Sequence, residues 1–177
     1  MDFVLYGLIA LVVILGVYLV GAYNGFVASR NKVEEAFSTM DVYLIKRSDL
    51  IPNLVETVKG YAKHEKETLE NVIKARNSAV SAVSAEDKIK AAGEVSGMLS
   101  RLFALAESYP DLKANTNFQD LMAQLKVVEE DIANARKYYN GIVRQYNTSI
   151  EVFPANIVAN LFKFIKKSSR NCLINLS

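Results

Sequence analysis

The apolar positions along the chain follow two patterns. From Phe3 to Ser29 there is no charged residue, and from Phe3 to Tyr23 the sequence is almost continuously apolar. A helix rises about 1.5 Å per residue, so this stretch suffices to cross a hydrocarbon core of about 30 Å. Farther on, apolar residues recur at alternating steps of four and three. Ile51, Val55, Val58, Ala62, Glu65, Leu69, Val72, Arg76, Ala79 and Val83 make one such seam; Phe118, Leu121, Leu125, Val128, Ile132, Ala135, Tyr139, Ile142 and Tyr146 make another. Shorter runs are Val33, Phe37, Met40 and Leu44, and Ile89, Ala92, Leu99, Leu102 and Ala106. Such coiled-coil-like heptad seams are what long antiparallel helices present to one another in a bundle.

Breakers and caps divide these runs. Pro52 removes a backbone donor and disfavours helix at Ile51, which predicts a turn or kink over Ser48 to Pro52. Ser84 followed by Glu86 and Asp87 opens a helix, and Thr116-Asn117-Phe118-Gln119 has the form of a capping box. Four helices follow, over about 24–49 in continuity with the apolar stretch, 52–82, 86–108 and 116–149. The expected architecture is all-α, an N-terminal transmembrane helix followed by an antiparallel up-down bundle of about four long helices. Its parts are an anchor over about 1–23, a helical bundle over about 24–153 and a basic, apolar tail over about 154–177.

A signal peptide cleaved near Val20-Gly21-Ala22 is the alternative to a retained anchor. Against it, Asp2 stands where a basic region belongs, and the apolar run exceeds the usual span of about 7 to 15 residues. No basic residue precedes the span, whereas Arg30 and Lys32 follow closely and Lys46 and Arg47 lie further on. That bias predicts a single-pass protein with its N-terminus outside and its bundle in the cytoplasm.

Composition narrows the chemistry. With 8 Gly and 3 Pro among 177 residues, turn residues are too few for many short strands;. A net charge of +2, with basic and acidic residues interspersed, does not indicate nucleic acid as a partner;. The single cysteine, Cys172, excludes an intrachain disulfide and a cysteine zinc site, and the single histidine, His64, excludes a histidine metal cluster;. The chain has no His-Glu-x-x-His pair, no Gly-x-Ser-x-Gly elbow and no phosphate-binding glycine loop. A non-enzyme without metal or cofactor is therefore expected.

Charges on or beside the seams are more informative, since a lone buried charge demands a partner. Glu65 and Arg76 occupy seam positions, while Asp41, Glu129 and Arg136 lie beside them. Arg76 is expected to be largely buried against Glu129 or Asp41. Such residues either form interhelical ion pairs that fix register or line a polar groove for a ligand or partner peptide.

Several segments together resemble the LemA family: Tyr23-Asn24, Asp41-Val-Tyr-Leu-Ile-Lys-Arg47, Asp49-Leu-Ile-Pro-Asn-Leu-Val55, Tyr61-Ala-Lys-His-Glu65, Ala75-Arg76, Tyr109-Pro-Asp-Leu-Lys113, Glu129, Ala135-Arg136, Tyr139-Asn140, Tyr146-Asn147 and Phe153-Pro154. The resemblance implies a single-span bacterial membrane protein with a helical-bundle domain and no established biochemical activity. The chain departs from the family's aromatic, acidic ending in the run from Lys166 to Ser177. The expected role is a membrane-anchored, non-catalytic scaffold or adaptor that touches lipid through its anchor and holds partner proteins at the membrane. The alternative is a membrane-attached ligand-sensing domain using a charged interhelical groove. In the tail, Ile157, Val158, Leu161, Phe162, Phe164 and Ile165 interleave with Lys163, Lys166, Lys167 and Arg170. That mixture suits an anionic lipid surface, or the covering of the bundle's end by apolar residues with the basic ones solvated.

Overall fold

A computed structural model describes residues 2–167, and every regular element among them is a helix. The order is α1 (Asp2–Tyr61), α2 (Lys66–Ser81), α3 (Ala85–Ala106), the single turn α4 (Pro110–Lys113), α5 (Thr116–Glu151) and α6 (Ala155–Leu161). Residues 168–177, with Arg170 and Cys172, lie outside the described residues. Two compact units emerge, one from the residues up to Ala36 with those from Tyr139 onward, the other from Phe37–Tyr138. α1 and α5 each contribute to both.

In the first unit, α1 carries a window of mean hydropathy 2.8 in which no residue is buried, so this helix is long and apolar enough to cross a membrane;. The polar residues that follow interrupt the apolar surface, and α1 begins to bury one face, at Phe26, Val33 and Ala36. The end of α5 buries Tyr139, Val143, Tyr146 and Ile150, so Val143 takes the place that the sequence series gives to Ile142 while Tyr139 and Tyr146 keep theirs. From residue 154 the chain forms α6, which buries Val158 and Ala159. Burial pushes the Tyr146 phenol above its ordinary range, against the influence of Arg30, so its hydroxyl stays a donor and bonds the Ile165 carbonyl at 3.0 Å.

In the second unit the long helices alternate in direction. Arg76 reaches Ser48, which with the reversal after Tyr61 sets α2 antiparallel to α1. Lys88 meets Asp41 and Ser96 meets Arg47, so α3 runs with α1. Asn117 meets Thr57 and Glu129 meets Arg47, so α5 runs against it. The core between them is solid: Ile51, Leu54, Val58, Val72, Val95, Leu99, Leu102, Leu112 and Leu125 are all almost fully buried.

The boundaries depart from the sequence reading at two places. α1 does not end near Pro52 but continues to Tyr61, and the chain reverses over 62–65, just after Gly60 weakens helix propensity;. The seam from Ile51 onward is therefore divided between two antiparallel helices, with Ile51, Val55, Val58, Leu69 and Val72 in one core and Val83, beyond α2, 92% exposed. At α5, the capping residue is Asn115 and not Thr116: its Oδ1 accepts the Phe118 backbone N–H at 2.9 Å;. Ser84 caps α3 as its sequence context indicates, accepting the Asp87 N–H at 3.0 Å.

Pro52 is tolerated for an identifiable reason. In an unbroken helix the N–H of residue 52 would bond the carbonyl of Ser48, and proline has no N–H to give. Ser48 is 5% exposed, so water does not readily replace that donor;. Arg76 of α2 replaces it, with Nε donating to the Ser48 carbonyl at 3.2 Å. Arg76→Ala should therefore destabilise the chain by about 1 to 3 kcal/mol, the cost of an orphaned buried acceptor. In a Pro52→Ala background, where the backbone N–H returns, the same substitution should cost markedly less. Denaturant unfolding of the four variants measures this coupling; equal costs in both backgrounds would disconnect Arg76 from the proline.

Candidate functional site

α1 places Met40, Leu44, Arg47, Ile51, Leu54 and Val58 at successive steps of four and three, so Arg47 points where a core residue belongs;. It is 1% exposed. Its Nη1 donates to Glu129 Oε1 at 3.0 Å and to Ser96 Oγ at 2.9 Å, and its Nη2 to the Ala92 carbonyl at 3.0 Å. Its Nε has no hydrogen-bond partner among the described residues. Burial draws its pKa below the ordinary value; the Glu129 charge and hydrogen bond oppose that, and Arg136 adds to it. A guanidinium starts so high that it stays charged regardless, and the pairing is what makes its burial tolerable.

Beside Arg47 lies a pocket of about 300 Å³ between α1, α2 and α3, whose polar lining includes Asp41, Ser48, Asp49, Arg76 and Lys88. Lys88 Nζ donates to Asp41 Oδ2 at 2.6 Å. Arg76 is half-buried and donates to the Ser48 carbonyl and to Asn77 Oδ1, with both expected carboxylates otherwise engaged: Asp41 with Lys88 and Glu129 with Arg47.

The five sequence-selected residues thus divide among three places. Asp41 and Arg76 share the small pocket. Glu129 and Arg136 act on Arg47. Glu65 stands apart at the α1–α2 reversal, where it accepts the Tyr109 hydroxyl at 3.3 Å. Burial and the neighbouring Glu65 charge push that phenol above its ordinary range, keeping it protonated as a donor at neutral pH. His64, in the same reversal, is exposed. Among the described residues no three His, Cys, Asp or Glu side chains converge on a metal position.

A larger groove, about 1130 Å³, runs between the last turns of α1 and α2. Its floor is apolar, from Pro52, Val55, Ala62, Leu69 and Ile73, and its rim carries Lys59, Lys63, Lys66 and Lys74 with Glu56 and Glu70. Both glutamates are engaged by rim lysines, Glu56 by Lys59 at 3.2 Å and Glu70 by Lys66 at 3.7 Å. Lys63 and Lys74 have no ion-pair partner among the described residues. Because the groove exists only once the chain reverses at 62–65, a reading of 52–82 as one helix does not contain it.

The sequence model of the LemA family matches residues 36–171, from the start of the second unit through Arg47, Glu129 and α6. The chain belongs to the LemA family. Protein LemA of Metamycoplasma hominis is 24% identical over 89% of this chain and 72% of its own length. Magnetosome protein MamQ 2 of Paramagnetospirillum magneticum is 26% identical, and magnetosome protein MamQ of Magnetospirillum gryphiswaldense 23%; both alignments cover 80% of this chain and 62% of the relative. The chain thus spans less than two thirds of the length of the magnetosome proteins it resembles. The family match in this chain takes in both grooves and begins beyond the apolar stretch of α1.

Arg47 and Glu129 form a pair with one buried member, the guanidinium side chain 1% exposed and the carboxylate side chain 36%. Glu129→Ala leaves the buried guanidinium without its half-exposed counter-charge and should cost about 1.5 to 3 kcal/mol in chemical denaturation of the detergent-solubilised chain. The double replacement Arg47→Met with Glu129→Leu should recover most of that loss, since apolar residues of similar volume replace buried pairs well. A Glu129→Ala cost below about 1 kcal/mol would place the pair with surface salt bridges instead.

Proposed function

We propose that this LemA-family chain is a membrane-anchored, non-catalytic scaffold whose α1–α2 groove receives a helix of a partner protein carrying acidic residues beside an apolar stripe. The carrying observation is the groove itself: an apolar floor long enough for a helix, set between two antiparallel helices and rimmed by four lysines against two already engaged glutamates. An amphipathic helix lying there would cover the floor, as in other helix-in-groove recognition, and acidic flanks would complement Lys63 and Lys74. The apolar stretch of α1 supplies the anchor. A ligand-sensing role would draw on the smaller pocket, but each of its three cations already donates within the chain, Arg47 to Glu129, Lys88 to Asp41 and Arg76 to Ser48. With two of the three paired to carboxylates and the third bonded to the backbone, the groove is favoured.

The test is site-specific photocrosslinking in the native membrane. A photoreactive residue in place of Lys63 or Lys74 should yield discrete adducts whose crosslinked peptide is helical in pattern with acidic flanks. The same residue at exposed Arg101 or Lys126 should not. Groove adducts that match those of the controls, or that map to basic segments or lipid, would remove the groove as a docking site.

The same reading sets the N-terminus outside and the bundle in the cytoplasm, from the absence of basic residues before the span and the presence of Arg30 and Lys32 after it;. Protease added to intact cells should then leave residues beyond Arg30 undigested, and their digestion would reverse the orientation.

A further inference from the structure

The segment after α6 returns to the place where the apolar stretch of α1 stops. The Tyr23 ring meets Phe162 and Phe164 edge-on, with centroids 4.9 and 5.7 Å apart. Phe164 also packs against Phe26 at 5.2 Å and lies beneath the Arg30 guanidinium at 5.9 Å. α5 holds the backbone just beyond: Asn147 accepts the Lys167 N–H at 2.9 Å and donates to its carbonyl at 2.8 Å, Tyr146 bonds the Ile165 carbonyl, and Lys166 pairs with Glu151.

This well-fastened segment nevertheless leaves large apolar side chains outward. Phe153 is 80% exposed, Ile157 59%, Leu161 66% and Ile165 72%. Positions 157 and 161 stand one turn apart on α6 and so share a face. Buried Val158 and Ala159 turn the other way, so the helix is amphipathic with its larger apolar groups on the outside. On a protein wholly in water such a patch would be a liability.

The α6 terminus adds a second anomaly. The Phe164 N–H bonds the Ala159 carbonyl and the Lys163 N–H bonds the Asn160 carbonyl, the hydrogen-bond pair of a Schellman cap;. The left-handed residue that this cap needs is ordinarily glycine, and here it is Lys163, at φ 57°. A local rule broken in this way is expected where function asks for the side chain. Neither the Lys163 nor the Lys167 ammonium has a hydrogen-bond or ion-pair partner among the described residues.

We propose that residues 152–167 form a second membrane contact, lying on an anionic lipid surface at the depth of the headgroups beside the spanning helix. Tyr23 fixes the depth: it ends the apolar stretch, where aromatic residues mark the membrane–water boundary, and the tail touches it directly. The outward Phe153, Ile157, Leu161 and Ile165 then enter the boundary region, while Lys163 and Lys167 reach lipid phosphates, the division of labour of an interfacial helix. The inference rests on reading the apolar stretch as membrane-spanning.

The test uses the full chain reconstituted in vesicles of phosphatidylcholine with or without phosphatidylglycerol. In a Cys172→Ser background, a fluorophore is attached through Ile157→Cys or Leu161→Cys and read with lipids carrying a quencher near the headgroup. A label at Val13→Cys with a deep quencher reports the span separately, and one at exposed Arg101→Cys reports the bundle. The expected result is strong shallow quenching at 157 and 161 in anionic vesicles, weakened by salt, with none at 101. Lys163→Gln with Lys167→Gln should shift the contact equilibrium on the order of twenty-fivefold away from the lipid, at about fivefold per cation. The corresponding Lys→Arg pair should retain it, which separates loss of charge from loss of folding. If Val13 is quenched while 157 and 161 are not, the span stands and the second contact falls. If Val13 is not quenched, the spanning reading falls and the inference with it. Protection of 157 and 161 that ignores lipid charge and salt would assign the apolar face to a second copy of the chain and overturn the proposal.

Discussion

A guanidinium inside an apolar core cannot be left without partners, and the placement of Arg47 imposes that demand on the whole bundle. Its three bonds reach Ala92 and Ser96 on α3 and Glu129 on α5. The next residue addresses the remaining helix, because the Ser48 carbonyl, deprived of a donor by Pro52, takes one from Arg76 on α2. Two consecutive residues of α1 therefore bind it to all three of its long neighbours. Apolar seams tolerate small slips along their axes, whereas a fixed fork of donors does not. Sliding α3 or α5 by one turn would strand a charge in the core, at a cost comparable to a large part of a domain's stability. Register in this bundle is thus set by a few polar contacts within an otherwise interchangeable apolar packing.

This also explains what could be read from the sequence. The repeat from Phe118 to Tyr146 is long and uninterrupted, and α5 follows it closely. Ser84 with an acidic first turn marks the start of α3 by purely local chemistry, and the structure keeps it. Pro52 misleads because its local rule, the loss of an N–H, is offset by a donor from a helix distant in sequence. Once a break is assumed there, the series Met40, Leu44 stops short, and its next member, Arg47, is counted with the basic residues that follow the span and not as a seam position. Read through the proline, the four-and-three spacing reaches Arg47 directly and makes it the core charge that Arg76 was expected to be. The division of Asp41, Glu65, Arg76, Glu129 and Arg136 among three places follows from the same error, since the true reversal at 62–65 moves Glu65 to the end of a hairpin. Asn115 shows the smaller form of this problem: neighbouring Asn and Thr both cap helices, and only the side chain's reach to the Phe118 N–H decides between them.

The cations of the chain separate by what they bond. Arg47, Arg76 and Lys88 spend their hydrogen bonds on Glu129, Ser48 and Asp41, and their work is internal. The ammonium groups of Lys63, Lys74, Lys163 and Lys167 stand beside apolar surface with no ion-pair partner among the described residues. Exposed lysine beside exposed apolar area is what an interface with an acidic partner or an anionic surface requires, because neither group alone provides both attraction and burial. The solid core sharpens this division. With Ile51, Leu54, Val58 and Leu102 at essentially no exposure the apolar core of the second unit is closed, so the openings described among these residues are the clefts between helices. A bundle whose register is locked from within can present such surfaces without reshaping them on binding, and pre-organisation of that kind lowers the ordering cost that a partner must overcome.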